Sequence, residues 1–462
     1  MSRKETLEDS HVSSTPDISS ENLVLLTVAL GTMLAPLNST MIAVAMPSIM
    51  SAFDVELSSA GWLVTAYLIG MASLQPVSGK LGDRLGRRRL ILGALAYFGA
   101  ASLGAALSGS LEWLLFFRIQ QAVAGAVIVP NGVALVREIV PAERRASRFG
   151  LVSSAISLAA AGGPALGGIM IELGDWRAIF YVNLIFILPA LLLGYKALPA
   201  TKTHKSDQPF DVGGAIILLV TLIGGAWLLI QSRQAETAVD PMLGGIVVSI
   251  AAAAFLWREW RHPDPIVQLR FFRHRSFAAA NSGIMFSNLA MYATLLTIPL
   301  IVADQTDWSP ARTGLIMAAL SATTVVCAPL GGHLADKWGR RWPTVGGLAI
   351  FTAGLLLLGF AEDGISALLL ATSLGIAGVG LGLSWTGLQT AAVESVVPRQ
   401  AGVASGIYST SRYLGSIVGS SILASLFTAE SSDYSQAFVL VAIAAIASVC
   451  VSFALQDRPE PA

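Results

Sequence analysis

Charged residues are scarce in this 462-residue chain: they make up 13% of it, with 29 basic side chains set against 29 acidic ones. A formal balance of zero excludes a globally basic nucleic-acid binder. Cysteine is nearly absent. Cys327 and Cys450 each fall inside an apolar run, where a small buried hydrophobe is the expectation and a structural disulfide is not. Histidine is equally thin and never at metal-ligand spacing: His11, His204, His262 and His274 lie in polar stretches and His333 in a charged loop, so no metal or cofactor is expected. No G-x-x-x-x-G-K-[ST] phosphate loop is present, which excludes ATP as the direct driver, and no nucleophile and base constellation argues for an enzyme. Residues 1–22 are polar, Ser-rich and without an apolar core, so they read as a disordered tail rather than a cleaved signal.

What is abundant is apolar surface. With 54% hydrophobic residues and a mean hydropathy of +0.68, the chain carries more of it than a soluble core hides from water, which makes it an integral membrane protein. A run of about 20 apolar residues crosses a bilayer as a helix. Fourteen such runs are expected, near 23–46, 57–78, 89–108, 112–136, 149–171, 177–197, 212–231, 241–257, 277–303, 311–330, 342–361, 365–393, 402–428 and 434–455. With the N-terminus inside, 24 of the 29 Lys and Arg residues fall on cytoplasmic segments, and only Arg177, Arg233 and Arg312 fall outside. The positive-inside bias and the even span number place both termini in the cytoplasm.

The few charges are not evenly spread. GKLGDRLGRRRL (79–90) closes the second span and opens the third, and GGHLADKWGRR (331–341) does the same between the tenth and eleventh. Equivalent positions in two six-helix units make an internal repeat with a 6+2+6 plan. The expected division is a tail at 1–22, a first bundle at 23–198, a linker with two extra spans at 199–275, a second bundle at 276–456 and a tail at 457–462.

The first stretch resembles the signature loop of the major facilitator superfamily, G-x-L-a-D-R-x-G-R-[KR], through Gly79, Leu81, Asp83, Arg84, Gly86, Arg87 and Arg88. The second copy matches through Gly332, Leu334, Ala335, Asp336, Gly339, Arg340 and Arg341. PLNSTMIAVAMPSI (36–49), WLVTAYLIG (62–70), RIQQAVAGAVIVP (118–130), GGPALGG (162–168), DWRAIFYVN (175–183) and GVASGIYSTSRYLGSIVG (402–419) are similar to motifs of its fourteen-helix drug and proton antiporter branch. The fold class this implies is an all-α integral membrane protein with the major facilitator fold. The implied function is secondary active export of small amphipathic molecules, drugs or toxic metabolites, across a bacterial plasma membrane by alternating access, in exchange for protons. Small-molecule substrate, protons and lipid are the implied partners, and a monomer is expected. Two positions depart from the branch: Asn38 stands where an Asp is usual and Ala122 where a Gly is usual.

By that resemblance Gly79, Asp83, Arg84, Gly86, Arg87 and Arg88, with Gly332, Asp336, Gly339 and Arg340, form conformational latches that stabilise the outward-facing state. The alternative is that the arginines only set topology. Gly163, Pro164, Gly167 and Gly168 sit inside the fifth span, as a pivot between rocking helices or as ordinary small-residue packing. Arg118 and Asn38 lie at a similar depth at roughly 1.5 Å per residue, so they meet between helices. Arg412 is also well inside its span, and an intramembrane Arg is a functional candidate unless it only serves carbonyls or snorkels.

No Asp or Glu lies in any span interior. That gives the centre a positive bias, suits an anionic or neutral amphipath, and puts proton coupling on a span end, with Asp304 ahead of Glu112 and Glu394 or else a plain interfacial residue. Tyr67, Gln121 and Trp385 complete the expected substrate and coupling set of Asn38, Arg118, Asp304 and Arg412, with Tyr292 as a further aromatic and Trp62, near the outer end of its helix, read as a membrane-interface anchor. The alternatives to export are a proton-independent or uptake transporter of an organic anion and, from another class, a membrane sensor or scaffold without transport.

Overall fold

The computed structural model describes residues 18–140, 142–199, 211–231, 241–263, 265–359, 366–397, 401–426 and 434–457. Among these the chain is helical and without strands, since apolar spans in lipid must satisfy every backbone group internally. The long helices are α1 (Ile18–Phe53), α2 (Trp62–Leu85), α3 (Arg87–Ala106), α4 (Leu111–Ile139), α5 (Ala142–Gly174), α6 (Ala178–Ala197), α7 (Val212–Gln231) and α8 (Pro241–Arg261). They continue with α9 (Arg275–Gln305), α10 (Pro310–Trp338), α11 (Arg341–Leu357), α12 (Ala367–Glu394), α13 (Ala401–Leu426) and α14 (Tyr434–Ser452). Eleven of the helices are long and apolar enough to cross a membrane, and α11 is a shorter apolar helix. Helix α1 begins at Ile18, ahead of residue 23 where the apolar run starts, because buried Glu21 pairs with Arg148 of α5 at 2.9 Å and anchors the first turn.

The repeat read from the two charged loops is also a packing repeat. In the first half α1 packs on α4, α5 and α6, α2 on α4, and α3 on α4 and α6. In the second half α9 packs on α12, α13 and α14, α10 on α12, and α11 on α12 and α14. Each helix therefore corresponds to the one eight places later. The halves meet through α5 on α10, α13 on α2 and α1 on α9. Exchanging the halves turns the α5–α10 contact into α13–α2, so the interface has two-fold character.

The inserted pair lies outside this plan. Helix α7 packs on α2 and α13, while α8 packs chiefly on α7 and has only 11% of its apolar window buried, leaving its outer face to lipid. Asp211 ties the roots of the pair. Its Oδ1 accepts from the Gly214 amide at 2.7 Å, capping α7, and from Arg258 Nε of α8 at 2.7 Å. Burial alone would raise the Asp211 pKa, but those bonds and nearby His262 and Arg258 outweigh it and hold the carboxyl below its usual range.

Candidate functional site

The described ends of the chain lie with the charged loops on one face of the bundle, called here the termini face, Asp457 against Arg340 and Arg341 and Glu21 against Arg148 of α5; the α1–α2 and α9–α10 connections lie on the far face. Helix α4 starts at the far face and brings Arg118 to a buried position about two turns in. Its Nε donates to the Leu63 carbonyl of α2 at 3.1 Å and its Nη1 to Gln121 Oε1 at 3.1 Å. The same Gln121 oxygen accepts from Asn38 Nδ2 of α1 at 3.0 Å, and Gln121 Nε2 donates to Ser102 Oγ of α3 at 2.8 Å. Asn183 Nδ2 of α6 reaches the same hydroxyl at 3.3 Å. The Arg118 guanidinium stacks over the Tyr67 ring at 4.3 Å, and Tyr67 donates to the Ala35 carbonyl at 3.3 Å.

The expected meeting of Asn38 and Arg118 is thus real but indirect, with Gln121 between them. Three helices, α1, α3 and α4, meet on one amide, with α2 and α6 attached one bond further out. The charge of Arg118 is offset by a carbonyl, an amide oxygen and a π face, and no carboxylate among the described residues pairs with it. Arg118 Nη2 and Asn38 Oδ1 are buried and have no partner there.

A second group bridges the halves. Ser39 of α1 shares a hydrogen bond with Tyr292 of α9 at 2.9 Å, and Gln75 Nε2 of α2 donates to the Tyr413 hydroxyl of α13 at 3.2 Å. Half-buried Arg412 lies 5.2 Å from the Tyr413 ring and has no carboxylate partner among the described residues. Tyr408 donates to the Trp385 carbonyl of α12 at 3.4 Å, while the Trp385 indole N–H is buried without a partner. Asp304 does not join either group. It is exposed at the far-face end of α9, where it accepts from the Tyr434 hydroxyl at 3.0 Å.

The signature loops turn on equivalent glycines, Gly86 with φ of 89° and Gly339 with φ of 86°, values that side chains rarely adopt. In the second loop Arg340 donates through Nε and Nη2 to the two oxygens of Glu394 at 3.0 and 2.7 Å, and through Nη1 to Asp336 at 2.6 Å. Glu394 first and then Asp336 push the Arg340 pKa further above its ordinary range. The first loop repeats the long-range pair, with Arg87 Nε donating to Glu138 at 2.6 Å, and Arg88 donates to the Tyr195 carbonyl at 2.7 Å. The side chains of Asp83 and Arg84, and the Gly79 position, lie outside the described residues. The described pairs bind α3 to α4 and α11 to α12, within each half.

On α5 the small residues split between two neighbours. A Cβ at Gly163 would lie 1.8 Å from Thr40 Oγ1, and one at Gly167 3.1 Å from the Met41 Cα, both on α1. One at Gly168 would lie 2.3 Å from the Pro310 carbonyl oxygen of α10, and one at Gly314 of α10 would lie 2.2 Å from that of Pro164. Helices α5 and α10 therefore touch backbone to backbone near the far face. The two-fold counterpart is α2 against α13, where Thr65 and Ser420 share a hydrogen bond at 3.0 Å and a Cβ at Gly61 would meet Ala424 Cβ at 3.0 Å.

The family model for the Major Facilitator Superfamily matches residues 28–279 and 280–462, one match for each half of this two-fold arrangement. The chain belongs to that superfamily. It is 34% identical to the uncharacterised MFS-type transporter YvkA of Bacillus subtilis, over 94% of this chain and 96% of that one. It is 32% identical to the multidrug resistance protein Stp of Mycobacterium tuberculosis, over 88% of this chain and 76% of Stp. It is 28% identical to the tetracenomycin C resistance and export protein of Streptomyces glaucescens, over 88% and 76%. Among solved structures, a bacterial homologue of the human lysosomal transporter Spinster, inward-facing and unoccupied, superimposes with a TM-score of 0.67 at 17% identity, covering 96% of this chain and all of that one. A major facilitator chain with these relatives is a multi-pass transporter of the bacterial inner membrane, and not an enzyme.

Sequence reasoning about this facilitator missed Ser102, Asn183, Gln75 and Tyr413 as network members, because lone polar residues in apolar runs are common and carry no spacing signal. Glu138 was within reach of the repeat: it occupies the place in α4 that Glu394 holds in α12.

Proposed function

We propose that this facilitator is a fourteen-span exporter of small amphipathic molecules, drugs or toxic metabolites, working by alternating access in exchange for protons. The termini face is cytoplasmic, and the halves are the bundles at 23–198 and 276–456, joined through α7 and α8 in the linker at 199–275. The observation that carries the reading is the two-fold pair of close contacts at the far face, α5 on α10 and α2 on α13. Small residues there let each half rock as a body about an interface with few side chains to repack. The charged loops act as latches at the opposite face. The export direction is supported by a relative named for export and another for multidrug resistance.

Arg118, Arg412 and the bridging tyrosines form the substrate region, and Asp304 is the proton site. The test is proteoliposome flux under an imposed pH gradient, following lumenal pH and substrate together with anionic, neutral and cationic amphipaths. Substrate-dependent proton release is expected, and Asp304→Asn should abolish it while leaving binding intact. Substrate movement without proton flux would favour the second reading, a proton-independent or uptake transporter of an organic anion. That reading draws on Asn38, a neutral amide that does not titrate at its contact with Gln121.

A further inference from the structure

Around the interface between the halves, the buried groups left without a partner include a guanidinium and an indole donor beside the neutral amide oxygens of Asn38 and Asn183. Arg118 Nη2 and the Trp385 indole N–H have none, and Arg412 meets no carboxylate among the described residues. Arg118 stacks on Tyr67 and shares Gln121 with Asn38, whose chain neighbour Ser39 bonds Tyr292, and Gln75, about two turns along α2 from Tyr67, bonds Tyr413 beside Arg412, so these side chains form one neighbourhood. Two cations with no fixed counter-charge are costly inside a membrane protein, and an acceptor-rich ligand relieves that cost. Arg412 is only half-buried, so a ligand can reach it. The aromatic faces of Tyr292, Tyr413 and Trp385, each half-buried, suit a flat ring system.

We infer that the transported molecule is an aromatic anion, a carboxylate or phenolate whose charge sits between Arg412 and Arg118 and whose rings stack on the tyrosines. This rests on the transport reading for the word transported, but the binding site stands apart from it. Asn38 sets the charge preference. Because Asn38 and Arg118 bond the same Gln121 oxygen, at 3.0 and 3.1 Å, a carboxylate at position 38 would neutralise Arg118 from within.

The experiment compares two xanthene dyes of opposite charge, fluorescein as the dianion and rhodamine 6G as the cation. Binding to the full-length purified protein is read by fluorescence anisotropy, and movement is read in proteoliposomes. Fluorescein is expected to bind in preference to rhodamine 6G. Arg412→Gln is expected to weaken fluorescein binding about tenfold, as losing a charge-assisted contact does, and Arg412→Lys to restore most of it. Asn38→Asp is expected to weaken fluorescein and to gain rhodamine 6G binding, a gain that only a folded protein gives. Failure of fluorescein to bind, or equal binding to the parent, Arg412→Gln and Asn38→Asp, overturns the inference whatever the flux shows. Fluorescein that binds as expected yet does not cross the vesicle upholds the anion site and removes export of its ligand instead.

Discussion

Gly168 of α5 and Pro310 of α10 are in backbone contact across the two halves: any side chain at Gly168 would begin 2.3 Å from the Pro310 carbonyl oxygen. Its reciprocal, Gly314 against the Pro164 carbonyl, lies one turn further along the same seam, at 2.2 Å for an added Cβ. A helix backbone cannot yield as a flexible side chain does, so these glycines define how far the far face closes.

Gly168→Ala and Gly314→Ala should therefore each cut transport at least about tenfold by forcing α5 and α10 apart, at a cost of about 1–3 kcal/mol for overpacking. Gly162→Ala is the control, because a Cβ there meets nothing within 4 Å, and it should transport normally. Cysteine cross-linking across the far face would read the separation directly. Equal activity in all three variants would dismiss the seam as a pivot.

Arg340 grips both oxygens of Glu394, which a lysine does not reproduce. Such partly exposed pairs add little to stability, so the effect of breaking them should fall on conformational balance. Arg340→Lys and Glu394→Gln are expected to slow transport several-fold with melting temperature nearly unchanged. The matching variants Arg87→Lys and Glu138→Gln should behave alike. A loss of folded protein without any change in turnover would make these pairs structural only.

Gln121 serves Asn38, Arg118 and Ser102 at once. Gln121→Leu leaves a buried cation with fewer acceptors and should destabilise the protein by about 3 kcal/mol or more, whereas Asn38→Leu removes one neutral bond and should cost about 1 kcal/mol. Thermal unfolding in detergent ranks the two, and the reverse order would refute the shared-amide account.

Asp211 is held below its ordinary carboxyl range of about 3.8, so its ion pair stabilises the α7–α8 root above that value and the benefit disappears as pH falls through the lower folded-state value. Asp211→Asn is expected to melt earlier than the parent at neutral pH and to converge with it in strong acid. A constant difference at every pH would show that the carboxylate charge is not what matters.

Much of the fold is legible in the sequence. The apolar runs announced the helices, and the pairing of Asp83 and Gly86 with Asp336 and Gly339 announced the repeat. The depth of Asn38 and Arg118 brought them to one level. Which neighbour each would choose was not legible, because depth follows from counting residues while direction around a helix depends on its rotation in the bundle. Asn38 and Arg118 therefore met through Gln121, and Asp304 turned outward to Tyr434 instead of inward. Gly314 was silent as well, since a single glycine in a membrane helix is ordinary until another backbone is placed against it.

The sequence by itself determined that this chain lives in a bilayer, that its halves repeat and that two arginines, Arg118 and Arg412, fall inside apolar runs, because each follows from composition and spacing along one dimension. The tertiary structure alone decided which glycines touch backbone, which amide is shared and which arginine stays reachable. Those facts depend on the relative rotation and approach of helices far apart in the chain, and only packing sets them.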